Sequence, residues 1–80
     1  MISVKVLGTG CKKCQKLEEK VKEVAKINGF DAEIIKVTDI QEIMKYKVMI
    51  TPGLVINEQV VSYGIIPKDE QIIQWLKEKE

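Results

Sequence analysis

The sequence predicts an α/β domain whose elements run β-α-β-α-β-β-α. Three observations carry that order. Short stretches with apolar residues at every second position alternate with stretches spaced at three and four, the two periods of strand and helix. Glycine, proline and asparagine fall between these stretches as punctuation. Near the C-terminal end, two β-rich runs are separated only by Asn57-Glu58-Gln59, a spacing that predicts an antiparallel hairpin.

Ile2 to Leu7 is the first strand, with Ile2, Val4 and Val6 on one face and Ser3, Lys5 and Leu7 on the other, buried mainly on one side. Gly8 and Gly10 end it. A helix is predicted from about Lys12 to Asn28, because Cys14, Leu17, Val21 and Val24 make one apolar stripe. Glu18 and Lys22 form a favourable pair on its outer face. Asn28-Gly29 stops it, with Gly29 suited to the left-handed position after the helix. Ala32 to Val37 is the second strand. Strand, helix and strand with short connections form a right-handed unit, so these two strands should be parallel.

A short helix follows, with Thr38 and Gln41 as a capping box, Ile40, Ile43 and Met44 as the buried edge, and an end near Tyr46-Lys47. Pro52 blocks any further helix, and Leu54-Val55-Ile56 is a strand. The three-residue turn leads to Val60-Val61-Ser62-Tyr63, in which Tyr63 is read as core or edge packing rather than a catalytic group. The last helix has Pro67 at its first position. Asp69 and Glu70 lie in its first turn and Lys77 and Lys79 in its last, as the helix dipole prefers. Ile72, Ile73 and Leu76 face the core, with Trp75 at the margin.

Eighty residues make one domain, 1–80, with a modest core. Thirteen lysines are balanced by 12 acidic residues, and no basic block exceeds two residues, so the composition points away from nucleic acid. No apolar run approaches the ~20 residues that span a membrane. The N-terminus lacks the pattern of a signal peptide. A cytoplasmic monomer is expected, where paired cysteines are more often catalytic or metal-binding than structural.

Both cysteines lie in Gly8-Thr9-Gly10-Cys11-Lys12-Lys13-Cys14, at a strand-to-helix turn. As a structural bridge the pair would close a four-residue ring, worth about 2 kcal/mol against about 3 for a 15-residue loop. Structural zinc takes four Cys or His ligands. With two cysteines and no histidine, only a dimer could supply them. Two chemistries remain: a redox-active disulfide, or capture of one soft metal ion. Cys14 falls on the apolar stripe and Cys11 at the open end of the helix. The helix terminus and the CxxC spacing lower a thiol pKa, and Lys12 and Lys13 add nearby positive charge. Gly10 lets another molecule approach the Cys11 sulfur.

A CxxC after the first strand, Thr51-Pro52 ahead of a Leu-Val-Ile strand, and a hairpin ending in Gly64 together resemble a minimal thioredoxin-fold family, the small glutaredoxin-like thioredoxins and redox-active disulfide proteins of archaea and bacteria. The resemblance spans essentially the whole chain. It implies a thioredoxin-like fold, a four-stranded mixed sheet flanked by three helices. It implies a thiol–disulfide oxidoreductase in which Cys11 attacks, Cys14 resolves, and Thr51 with a cis Pro52 receives an extended substrate. No cofactor beyond the Cys11–Cys14 disulfide and no metal are implied. Three departures stand out. The spacer is Lys12-Lys13 rather than Gly-Pro. No carboxylate lies on residues 2–7. Ile65-Ile66-Pro67 follows Gly64, where glutaredoxins place the Gly-Gly and Asp that hold glutathione. The expected partners are therefore disulfide-containing proteins and a flavin-dependent, thioredoxin-reductase-like donor rather than glutathione.

The rival is a soft-metal carrier that binds Cu(I) through the two thiolates. Heavy-metal-associated domains place CxxC in the same position, but in the order β-α-β-β-α-β, and usually with Met where this chain has Thr9.

Overall fold

The computed structural model describes residues 2–10 and 12–79. Its elements are β1 (Ile2–Leu7), α1 (Lys12–Ile27), β2 (Ala32–Val37), α2 (Ile40–Lys45), β3 (Gly53–Ile56), β4 (Gln59–Tyr63) and α3 (Asp69–Glu78). The four strands form one sheet in the order β2-β1-β3-β4. β1 pairs parallel with β2, from Ile2 opposite Ala32 to Leu7 opposite Val37. It pairs antiparallel with β3, which in turn pairs antiparallel with β4.

β1 is central, and its alternation sorts two apolar layers. Ile2, Val4 and Val6 join Leu54 and Ile56 of β3 against Leu17, Val21 and Val24 of α1 and Ile72 and Leu76 of α3. The opposite face carries a smaller cluster of Leu7, Val55, Ile43 and Val48, flanked by Val37 and Tyr46. Burial of β1 is thus two-sided at its C-terminal end, where a mainly one-sided strand was expected. The reason is α2, which covers Leu7 and leaves the first half of that face to Ser3 and Lys5.

The α1 stripe lies as its spacing predicts, with Cys14, Leu17, Val21 and Val24 buried and Ala25 beside them. Glu18 and Lys22 pair at 3.6 Å. Gly29 follows the helix at φ +69°, and Phe30 N–H donates back to the Ala25 carbonyl at 2.9 Å. Lys20 of α1 reaches Asp69 of α3 at 3.2 Å, tying the two helices on the outer side of the larger layer.

Five local expectations change. The cap of α2 is Asp39, whose side chain accepts from Gln41 N–H at 2.9 Å, so Thr38 is not the capping residue. Only Ile43 of α2 is buried, whereas Ile40 and Met44 are 62% and 65% exposed. A helix of six residues presents little more than one side chain to the sheet, and Val48 beyond it supplies the rest. The hairpin loop has two residues, Asn57 and Glu58, both at positive φ (49° and 69°), and β4 begins at Gln59. Such a turn matches the twist of the strands it joins. Pro67 is buried ahead of α3, and Lys68 is the N-cap, so the helix starts at Asp69. Tyr63 is 60% exposed and is not a core residue.

A glutamate in the left-handed region is unusual, and its side chain explains it. Lys5 Nζ donates to Glu58 Oε1 and to the Tyr46 hydroxyl, each at 2.8 Å, and Tyr46 O–H donates to Glu58 Oε2 at 2.7 Å. Asn57 Oδ1 accepts from Ser3 N–H at 2.9 Å, and Asn57 N–H donates to the Ser3 carbonyl at 2.7 Å. The hairpin tip is therefore strapped to β1 by backbone and side chain together. The bonds from Lys5 and then Tyr46 hold the Glu58 carboxyl below its ordinary range, and bonds to Glu58 and then Tyr46 hold Lys5 above its own.

The signs give the pH dependence. A depressed carboxyl stabilises the fold above its unfolded-state pKa and loses that contribution as pH falls through the folded value. A raised lysine contributes below its unfolded pKa and loses it only in strong alkali. At neutral pH both act. Glu58→Gln is expected to lower the urea midpoint at pH 7, with the deficit shrinking as wild type and variant are compared at progressively lower pH through the carboxylate range. A deficit that is constant from pH 7 to pH 3 would contradict the ionic role of Glu58.

Candidate functional site

β1 ends at Leu7, and Gly8 continues its path for one residue, donating from N–H to the Val37 carbonyl at 2.9 Å. Thr9 is exposed, and Gly10 adopts φ +93°, a conformation that side-chain-bearing residues rarely take. Gln15 Nε2 donates back to the Gly10 carbonyl at 3.3 Å and closes the turn. α1 then runs from Lys12, with no acidic residue in its first turn. Lys12 and Lys13 both face solvent.

Cys14 lies one turn in, at the head of the buried stripe. It is 2% exposed and is bonded in a disulfide. Cys11 lies outside the described residues. Gly8 is packed directly on Cys14: a Cβ built there would collide with Cys14 Sγ and stand 2.8 Å from Cys14 Cβ. The same position is 4.0 Å from Thr51 Cβ. The end of β1, the start of α1 and the segment before β3 therefore meet at one point. In the sequence Gly8 reads only as a turn residue near Cys11; the structure adds that a bare backbone is needed beside Cys14.

The Thr51–Pro52 peptide is cis, with Pro52 buried and Thr51 half-buried. The Pro52 carbonyl accepts from Gly64 N–H at 2.8 Å, which ties the segment to the end of the hairpin. Thr51 precedes the ladder, and no backbone hydrogen bond joins it to another described residue. Its backbone is a ready edge for an extended chain. Ile50, Tyr63 and Ile65, which flank Thr51 and Gly64 in sequence, are 60%, 60% and 56% exposed, apolar surface that sequence spacing did not single out. Of the predicted site residues, Gly10, Lys12, Lys13 and Cys14 share the β1–α1 turn and Thr51 and Pro52 stand across from it.

The arrangement has the topology of one of the two chemistries left open by the sequence. The chain ends in a helix after a hairpin, in the order β-α-β-α-β-β-α, which is not the order of the soft-metal carriers. Among the described residues no group of three or more Cys, His, Asp or Glu side chains converges. No helix among them is long and apolar enough to cross a membrane.

Comparison with known proteins agrees with this topology. The family model described as Thioredoxin domain matches residues 2–77. A thioredoxin of Methanocaldococcus jannaschii is 43% identical over 77 residues, covering 96% of this chain and 88% of that protein. A thioredoxin of Methanothermobacter thermautotrophicus is 32% identical over 72 residues, covering 90% and 94%. Among solved structures, the germline-specific thioredoxin protein Deadhead of Drosophila melanogaster superposes with a TM-score of 0.66 at 18% identity, covering 96% of this chain and 79% of that one, a likeness of fold. The chain belongs to the thioredoxin-domain family of thiol–disulfide oxidoreductases.

Proposed function

We propose that this protein reduces disulfide bonds in other proteins by cycling its Cys11–Cys14 pair between dithiol and disulfide. The observation that carries the reading is Cys14, buried and disulfide-bonded at the head of α1 and packed on Gly8, beside which the Thr51 segment passes. A buried thiol suits a resolving role, because it is shielded from substrate and can be reached by the sulfur of the cysteine three positions earlier.

In the reduced protein the Cys11 thiolate attacks one sulfur of the substrate disulfide. That bond breaks, and the second substrate sulfur leaves as a thiolate and takes a proton from water. Cys14 gives up its proton and attacks the Cys11 sulfur, which closes the Cys11–Cys14 bond and releases the first substrate thiol. Two electrons pass from the pair to the substrate. A flavin-dependent, thioredoxin-reductase-like partner returns them. Thr51 and Pro52 hold the substrate chain, with the unpaired Thr51 backbone as the strand edge. Glutathione is disfavoured as donor because Gly64 is followed by Ile65-Ile66-Pro67.

Lys12 and Lys13 raise the thiolate fraction of Cys11. A unit charge about 7 Å from a thiolate in water-like surroundings changes its pKa by about 0.4 unit. The helix terminus supplies a larger share.

Three measurements follow. Cys14→Ser should accumulate a mixed disulfide through Cys11 when mixed with a disulfide-bonded protein such as insulin, whereas Cys11→Ser should accumulate none. A stable adduct on Cys14 in place of Cys11 would reverse the roles. Replacing Lys12 and Lys13 together with Gln should move the pH profile of iodoacetamide alkylation of Cys11 upward by roughly half to one unit, with the difference shrinking in high salt. An unchanged profile would leave the lysines to docking or solubility. Gly8→Ala should destabilise the oxidised protein by about 1–3 kcal/mol through overpacking on Cys14, read as a lowered urea midpoint; an unshifted midpoint would mean that the turn moves aside freely.

A further inference from the structure

Side-chain charge is unevenly divided along the chain. Residues 1–17 hold four lysines and no acidic residue, a charge of +4, whereas residues 18–80 hold nine lysines and 12 acidic residues, a charge of −3. Of those four lysines, Lys5 is neutralised by Glu58 at 2.8 Å. The other three, Lys12, Lys13 and Lys16, are exposed at the start of α1. No ion pair among the described residues reaches them. The next acidic residue, Glu18, is paired with Lys22 at 3.6 Å, and Glu19 makes no pair with Lys16.

The fold gains nothing from this arrangement. Cations at a helix N-terminus oppose its dipole. Lys12 and Lys16 are four apart and Lys13 and Lys16 three apart, so like charges occupy neighbouring positions on the helix surface. Elsewhere the same chain follows the dipole rule, since α3 opens on Asp69 and Glu70. Tuning of the Cys11 thiolate accounts for Lys12 and Lys13, which follow it directly. It does not account for Lys16, which stands more than one helical turn further on, where water and salt screen its charge from the thiol.

We propose that Lys12, Lys13 and Lys16 form a docking patch for carboxylates beside the target disulfide, so that the protein prefers acidic protein partners. The inference rests on the thiol–disulfide reading above and adds a substrate class to it: protein disulfides flanked by aspartate or glutamate. A partner whose sulfur meets Cys11 brings its flanking residues to the first turns of α1, because Lys12 follows Cys11 and Lys13 precedes Cys14. Thr9, Gly10, Gln15 and Thr51 around that turn are uncharged, so no carboxylate of the protein's own competes there. Lysine is a compact charge on a flexible stem, which selects for charge rather than for one fixed geometry. Such attraction acts mainly on the rate of encounter and fades with salt.

The test uses short alanine-rich peptides with one cysteine held in a mixed disulfide with thionitrobenzoate. The Cys11 thiolate attacks the peptide sulfur, the mixed disulfide breaks and coloured thionitrobenzoate leaves as its thiolate; Cys14 then releases the peptide thiol. Three peptides carry two glutamates, two glutamines or two lysines around the cysteine. Each rate is divided by that of dithiothreitol on the same peptide, which removes the peptide's intrinsic reactivity. At ~10 mM ionic strength the reduced protein should act on the glutamate peptide ~10-fold faster than on the glutamine peptide, the low end of electrostatic steering. At ~0.5 M salt the ratio should fall close to one. Lys16→Gln should lower the ratio and Lys16→Arg should keep it. Lys13→Glu with Lys16→Glu should invert the preference in favour of the lysine peptide. A changed Cys11 pKa scales all three peptides alike, so the ratio separates docking from thiolate tuning.

Equal normalised rates on the three peptides would overturn the patch while leaving the redox reading intact. A glutamate preference that ignores salt, or that survives the double glutamate variant, would overturn it as well. Stronger inhibition by a single-stranded oligonucleotide than by polyglutamate of equal charge would assign the patch to nucleic acid instead and overturn the proposal. Release from none of the peptides would defeat the redox reading itself, and the patch with it.

Discussion

The contact on which the rest of the structure depends is Gly8 against Cys14. It fixes where α1 starts relative to the end of β1, because no side chain fits between them. With α1 so placed, its stripe from Cys14 to Val24 falls on Ile2, Val4 and Val6, and the larger apolar layer follows. The same contact brings Thr51 within reach, since Leu7 pairs with Gly53 and the segment ahead of β3 must pass the end of β1. Gly53 serves that pairing too: a Cβ there would meet Val48 Cγ1 at 3.1 Å and Leu7 Cδ1 at 3.3 Å. Close backbone approach at two glycines thus sets the buried, disulfide-bonded Cys14 near the Thr51 segment, whose backbone makes no hydrogen bond to another described residue.

The sheet's second face is divided by task. At its C-terminal end Leu7, Val55, Ile43 and Val48 make a small apolar cluster that holds α2 against the sheet. At the other end Lys5, Tyr46 and Glu58 replace apolar packing with a chain of hydrogen bonds. Lys5 keeps 24% of its side chain exposed, so its charge is still wetted while its stem covers the sheet. The polar strap anchors the hairpin tip to the N-terminal half of β1.

Much of this was legible in the sequence because period and punctuation agreed. β1, β2 and the buried stripe of α1 follow directly from alternation and from Cys14, Leu17, Val21 and Val24. That the β1–α1 turn and the Thr51-Pro52 segment come together was legible through the thioredoxin resemblance, to which the family match at residues 2–77 corresponds. What escaped were features decided by tertiary contact. Asn57-Glu58 carries no glycine, and the left-handed Glu58 is held by Lys5 and Tyr46, more than ten residues away in sequence. Ile40 and Met44 have the spacing of a buried edge, but a six-residue helix beside an already covered Leu7 leaves them outside. Pro67 was read as the first residue of a helix, although its full burial places it before the cap. The apolar surface of Ile50, Tyr63 and Ile65 had no periodic signal, because it is assembled from loops and a strand end.

In the proposed cycle the two cysteines act as one two-electron unit. Counting free thiols by alkylation and mass spectrometry, across a series of defined dithiol–disulfide buffers, tests it most directly. Both thiols of the isolated protein should disappear together in a single transition, with a tenfold change in the oxidised-to-reduced ratio for about every 30 mV. Thiols that remain open at every potential, or that oxidise one at a time into intermolecular dimers, would contradict it.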